Sequence, residues 1–356
     1  MKKILVVDDS ALMRRVLCDI INSDERFHVE DRAVNGQEAL DLLSRKSYDA
    51  VVLDVNMPQM NGLELLKELR KRKISARVMM ASTDTKEGAK TTLDSLELGA
   101  LDFIHKPNNA MDCRSDAFKD KMLQILAVVA DSKMPTFGKA FSIDEIKTSK
   151  KVVELVGRHA SAVTGSRIVA LASSTGGPKA LHSVIPLLPK NLKAPMVIVQ
   201  HMPAGFTASL AERLDSLSEI HVKEAAEGDV LEAGTVYLSM GGKHLNIRSS
   251  MGRYSIHYTD EPTREGVKPC ANYMYESLMD SRYDQVLCVV MTGMGADGTE
   301  GIKHLKDKKK IHVIAQEAST CAVYGMPKSI VNAGLADQVV PLDHIAQEII
   351  MNVGVK

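Results

Sequence analysis

The sequence carries no excess charge of either sign: 45 Lys and Arg balance 45 Asp and Glu, for a formal net charge of zero. No global field therefore draws the chain toward nucleic acid or an anionic membrane surface. Cysteine is scarce. The five cysteines, at positions 18, 113, 270, 288 and 321, are odd in number, widely spaced and form no CxxC pair. That argues against a disulfide framework and reads as reduced thiols in a cytoplasmic protein. No apolar run reaches the roughly 18 residues that a membrane span needs, so no direct membrane insertion is expected. The amino terminus, MKKILVVDDS, meets acids at residue 8, too early for a secretory apolar core, and reads as a strand. Internal repeats and low-complexity tracts are also missing.

What is present is an ordinary globular composition, 45% hydrophobic and 25% charged, on a 356-residue chain long enough for two domains. Over residues 1–130, apolar runs at Lys3–Val7, His28–Val34, Asp49–Leu53, Arg77–Ala81 and Leu101–Ile104 alternate with helical patterns, the last around Met111–Val129. Five β-α units predict a five-stranded parallel sheet covered on both faces. Residues 131–165 lose that rhythm and read as a linker with at most a short helix around Ile143–Leu155. Over 166–356 the alternation resumes in a larger, doubly wound α/β domain. Its buried strands are expected at Arg167–Ala172, Pro195–Gln200, Val286–Thr292, Ile311–Ala315 and Gln338–Pro341. Thr235–Ser239, His244–Ser249 and Tyr254–Thr259 read as an antiparallel insertion, the last two joined through SMGR as a hairpin.

Ligands of parallel sheets collect at the carboxyl ends of the strands. In the first domain those ends carry Asp8 and Asp9, Asp54, Ser82 and Lys106. Clustered carboxylates repel unless a cation neutralises them, and an oxygen-only donor set suits Mg²⁺. Asp54 is then placed to attack a phosphoryl donor, with Lys106 on the phosphoryl oxygens and Ser82 and Phe103 following the new phosphate. Taken singly, each residue has a plainer role: a helix cap for Asp8 or Asp9, a turn for Ser82, a surface lysine, a core aromatic. Together, ILVVDDSALMRR, DAVVLDVNMPQMNGLELL, MMAS and GALDFIHKP resemble the receiver domain of the response-regulator family over residues 1–107. The resemblance implies Asp54 as phospho-acceptor from a sensor histidine kinase. It also implies Mg²⁺ held by Asp8, Asp9, Asp54 and the Asn56 backbone carbonyl, and Ser82, Phe103 and Lys106 as switch positions.

A DNA-binding output would be small and basic. From Arg167 onward there are 19 Lys+Arg against 20 Asp+Glu, a balance of −1, so no nucleic-acid partner is expected. The lone basic run, KDKKK at Lys306–Lys310, reads as a solvated helix end. The strand-end rule instead brings Ser173-Ser174, His201 and Asp297 to one edge, the composition of a hydrolytic triad. Glycines after the serine clear the approach to its hydroxyl, and Pro178 suits a first helical turn. The GMG loop, Met294 included, offers amides to an oxyanion. Ser174 alone would more often be an N-cap, His201 a polar boundary residue and Asp297 a turn. Gly176-Gly177 lacks the lysine of a P-loop, and no HxxxH surrounds His201.

ALASSTGGPKAL, VIVQHMPAGFT, GTVYLSMGGKHL and VVMTGMGADGTEGI resemble the catalytic domain of the chemotaxis protein-glutamate methylesterase family, which follows a receiver domain. The resemblance implies Ser174 as nucleophile, His201 as base, Asp297 as orienting acid and Met294 in the oxyanion hole, with no cofactor in this domain. It implies hydrolysis of glutamate methyl esters, and deamidation of glutamines, on the cytoplasmic domains of methylated chemoreceptors. Two departures stand out: Ala172-Ser173 replaces the family's usual Gly-Ala or Gly-Ser, and Pro269-Cys270 replaces its frequent Pro-Ser. From the residues alone, the choice between Ser173 and Ser174 stays open.

Overall fold

A computed structural model describes residues 1–83, 86–107, 109, 112–132, 134, 164–250 and 252–356. The chain divides into two compact units, Met1–Ala140 and Phe141–Lys356. Most of the expected linker, including the helix expected around Ile143–Leu155, lies outside the described residues.

In the first unit β1 (Lys2–Val7), β2 (Phe27–Ala33), β3 (Ala50–Asp54), β4 (Val78–Thr83) and β5 (Asp102–Lys106) form one parallel sheet in the order β2-β1-β3-β4-β5. All five residues of β3 are buried, as expected of a central strand with helices on both faces. Ser10, not Asp8 or Asp9, caps helix Ala11–Asn22 by accepting from Met13 N–H. The helix expected around Met111–Val129 is a short 3₁₀ turn, Asp112–Arg114, followed by helix Asp116–Asp131, whose Ser115 cap accepts from Phe118 N–H.

In the second unit β6 (Arg167–Ser173), β7 (Met196–Gln200), β8 (His221–Glu224), β9 (Thr235–Leu238), β12 (Gln285–Val290), β13 (Ile311–Gln316) and β14 (Gln338–Val340) form a seven-stranded sheet in the order β14-β13-β12-β6-β7-β9-β8. Every pairing in it is parallel. Between them, β10 (His244–Ser250) and β11 (Arg253–Thr259) make the antiparallel hairpin read from the sequence. Its Leu245, Ile247 and Ile256 are buried in the core that also takes Tyr275, Val286 and Ile302.

Two corrections concern strands. The Thr235–Ser239 segment, expected to be antiparallel, pairs parallel with both β7 and β8. Its nearness in sequence to the hairpin misled the assignment; a crossover, not a turn, delivers it to the sheet. Strand β8 was not foreseen. It is a four-residue edge strand, HVKE, that buries only Val222, so it carries no two-residue alternation long enough to read.

Chain order reverses about the first-laid strand in both sheets: β1 lies between β2 and β3, and β6 between β12 and β7. Such a reversal opens a crevice at the carboxyl ends of the strands. Each unit places its chemistry there.

Candidate active site

In the first unit the crevice holds Asp8 and Asp9 after β1 and Asp54 at the end of β3, their carboxylate oxygens within 4.8 Å of one another. Lys106 Nζ donates to Asp8 Oδ2 at 2.8 Å and to Asp54 Oδ1 at 2.6 Å. Burial, countered by Lys106 and reinforced by the Asp8 charge, pushes Asp54 up to about 6. Burial also pulls on Lys106, but the Asp54 and Asp8 charges outweigh it and hold the ammonium above its ordinary value. A hard divalent cation fits this all-oxygen set, which is short of positive charge with one ammonium for three acids. Asn56, two residues beyond β3, is exposed; Ser82 and Phe103 are buried, on β4 and β5.

The second crevice collects residues from three strands. Ser174 follows β6, His201 follows β7, and Asp297 sits on the loop between β12 and helix Thr299–Lys306. Asp297 is 2% exposed, so its charge must be met by the protein. Oδ2 contacts His201 Nε2 at 2.8 Å and accepts from Ala271 N–H at 2.6 Å. Oδ1 accepts from Asn272 N–H at 3.0 Å and from the Cys270 thiol at 3.0 Å. Burial alone would raise the Asp297 pKa; His201, the Ala271 amide and the Cys270 thiol together bring it below its ordinary value. Burial, then the Asp297 charge, pushes the Cys270 thiol up, so it stays protonated and donates.

An ionised Asp297 only accepts, so its contact places an N–H on His201 Nε2, the tautomer in which Nδ1 is the nitrogen able to take a proton. Among the described residues, His201 Nδ1 is buried without a hydrogen-bond partner. Ser174 Oγ is therefore not bonded to it in this structure; the expected serine–histidine contact is not formed, while the histidine–aspartate contact is.

The serine turn is built as the glycines suggested, with one correction. Ser174 is not the helix cap: Gly176 is, with φ of 75°, and Pro178 stands in the first turn of helix Gly177–Val184. A Cβ on Gly176 would lie 2.6 Å from that of Ala322. Asp297 is no cap either, since Gly298 takes that position. The adjacent serines separate cleanly. Ser173, fully buried, donates its hydroxyl to Gln200 Oε1 at 2.7 Å, whereas Ser174 is half-buried at the crevice. Loop Thr292–Gly295 closes the opposite side. Ser174 N–H donates to Thr292 O at 3.0 Å, Thr292 Oγ1 donates to Thr175 O at 2.9 Å, and a Cβ on Gly293 would lie 2.8 Å from Ser174 Cβ. Met294 comes next and is half-buried.

Residues 169–349 match the family described as CheB methylesterase, and residues 4–117 match the response regulator receiver domain. The chain belongs to the CheB methylesterase family. A protein-glutamate methylesterase/protein-glutamine glutaminase of Geobacillus kaustophilus is 40% identical over 362 residues, covering 99% of both chains. Its namesake in Bacillus subtilis is 38% identical, covering 98% of both. The crystal structure of the Thermotoga maritima CheB methylesterase catalytic domain is 42% identical, covers 53% of this chain and 98% of its own, and superposes with a TM-score of 0.51.

Sequence reasoning missed the groups that hold the acid and the loops: the Ala271 and Asn272 amides, and Gln200. Gln200 left a signal, being the polar residue that ends the otherwise apolar run MVIVQ. Cys270 was noticed only as a departure from the family pattern.

Proposed function

We propose that Ser174, His201 and Asp297 carry out the acyl transfer by which this CheB methylesterase hydrolyses glutamate methyl esters, and deamidates glutamines, on chemoreceptors. The observation that carries the assignment is the buried His201 ring, fixed through Nε2 by Asp297 and with Nδ1 unpartnered among the described residues. His201 Nδ1 takes the Ser174 proton as Oγ forms a bond to the ester carbonyl carbon. Asp297 stabilises the imidazolium across the Nε2–H bond. The Met294 amide and the N-terminus of helix Gly177–Val184 face the negative charge that develops on the carbonyl oxygen. His201 returns the proton to the departing methoxide, releasing methanol. Water, deprotonated by the same nitrogen, then cleaves the acyl-serine bond. With a glutamine substrate the leaving group is ammonia and the remaining steps are identical.

In the receiver unit, Asp54 is the phospho-acceptor for a sensor histidine kinase. Asp8, Asp9, Asp54 and the Asn56 carbonyl would hold Mg²⁺, which would supply the positive charge that phosphoryl transfer needs. Lys106, already bonded to Asp8 and Asp54, carries the remaining charge, and Ser82 and Phe103 respond to the new phosphate. Phosphorylation regulates the esterase, in the cytoplasm.

Release of methanol from methylated receptor tests the assignment. Ser174→Ala is expected to fall by about 10⁴-fold or more, whereas Ser173→Ala, whose hydroxyl points to Gln200, is expected to fall by no more than about fivefold. Unchanged release by Ser174→Ala would overturn the nucleophile.

A further inference from the structure

We propose that Gln200 is a positioning residue that fixes the nucleophile loop and the base loop to each other; the proposal rests on the triad reading above. Gln200 ends β7 and is 1% exposed. Its Nε2 donates to Ser174 O at 2.9 Å and to His201 O at 3.2 Å. Oε1 accepts from Ser173 Oγ at 2.7 Å. Two carbonyls only accept, so the amide has one orientation that satisfies every partner, and the Ser173 hydroxyl completes it. One carboxamide thus ties together the backbones of the two residues between which the proton must pass.

The surroundings are shaped to admit that carboxamide. A Cβ on Gly177 would lie 1.9 Å from Gln200 Oε1; the second glycine of TGGP makes room for the amide as well as for the serine. The backbone adds a parallel tie, His201 N–H donating to Ser173 O at 3.1 Å. That bond only continues the β6–β7 ladder, and the Gly177 N–H that donates to Ser174 O at 2.7 Å only closes the serine's own turn; it is Gln200 Nε2 that joins the Ser174 and His201 carbonyls to each other. Without Nε2, the His201 carbonyl loses this donor while the Ser174 carbonyl keeps the Gly177 N–H, so the two loops lose their shared tie and the base loop is free to shift against the serine turn. A small shift at a reacting pair is kinetically large, about 100-fold for 1 Å.

The test uses the full chain and methylated receptor. Gln200→Met keeps the length and removes both donors; Gln200→Glu keeps the shape but turns donors into acceptors against the two carbonyls. Both are expected to lower kcat about 10–100-fold with KM within about twofold, and to slow phosphonylation of Ser174 by a fluorophosphonate in proportion. A structural role alone would lower the melting temperature and leave kcat per folded molecule unchanged, which overturns the proposal. Where Gln200→Met does not fold, Ser173→Ala, which frees the carboxamide to rotate, is expected to lower kcat by about two- to fivefold at unchanged KM; wild-type kcat in that variant overturns the proposal too. Ser174→Ala runs alongside. If it stays active, the triad reading fails and the Gln200 proposal with it; if it is inactive while Gln200→Met is fully active, only the role of Gln200 falls.

Discussion

Asp297 shows how one buried charge organises its neighbours. It has four partners: an imidazole, two amides and a thiol. Asparagine in its place offers an N–H₂ where the amides need acceptors and cannot stabilise an imidazolium. Asp297→Asn is therefore expected to lower kcat by about 10³–10⁴-fold, read as methanol release. The pKa shift fixes the sign of the stability effect. The folded value lies below the ordinary 3.8, so the carboxylate's contribution is fully present above the unfolded pKa and is lost as pH falls through the folded one. The stability gap between wild type and Asp297→Asn in urea should be widest near neutrality and shrink below about pH 4. A gap that widened in acid would contradict an ionised Asp297. The histidine and the acid were legible as strand-end residues; the amides were not, because backbone donors carry no letter of their own.

At the scale of elements, glycines decide how close a helix can come to a reactive strand end. Gly62 opens helix Gly62–Arg72, behind the Asn61–Glu64 capping box. A Cβ there would lie 2.3 Å from Asp54 O, so alanine must push the helix away from the acid-bearing strand end. Gly62→Ala is expected to destabilise the receiver unit by about 1–3 kcal/mol in denaturant titrations. It should also slow phosphorylation of Asp54 by a small phosphodonor; unaltered labelling would mean that the loop yields without moving the carboxylate. Most elements were legible. Strands such as AVVLD and MVIVQ are apolar up to their last residue because both faces are covered. Edge strand β8 was not legible, since one buried residue makes no period.

The whole molecule joins a switch to a hydrolase, each unit with its own core: one built around Ile4, Leu17 and Met122, the other around Val197, Tyr275 and Ile302. Separate cores let the esterase persist when the receiver cannot be phosphorylated. Asp54→Ala is expected to keep basal methanol release while losing any response to a phosphodonor. An equal response in the variant would place the phospho-acceptor elsewhere.

The sequence by itself determined the two α/β units and which polar residues lie at or just beyond their strand ends: Asp8, Asp9 and Asp54 in the first, Ser174, His201 and Asp297 in the second. Apolar periodicity marks strands, and parallel strands carry their chemistry where they end. Only the tertiary structure separates Ser173 from Ser174, because two adjacent hydroxyls differ in nothing but direction: one is buried against Gln200 and the other is at the crevice. It also decided which imidazole nitrogen meets Asp297, and that β9 runs parallel. These follow from strand order, which brings together residues about a hundred positions apart and leaves no local trace in the chain.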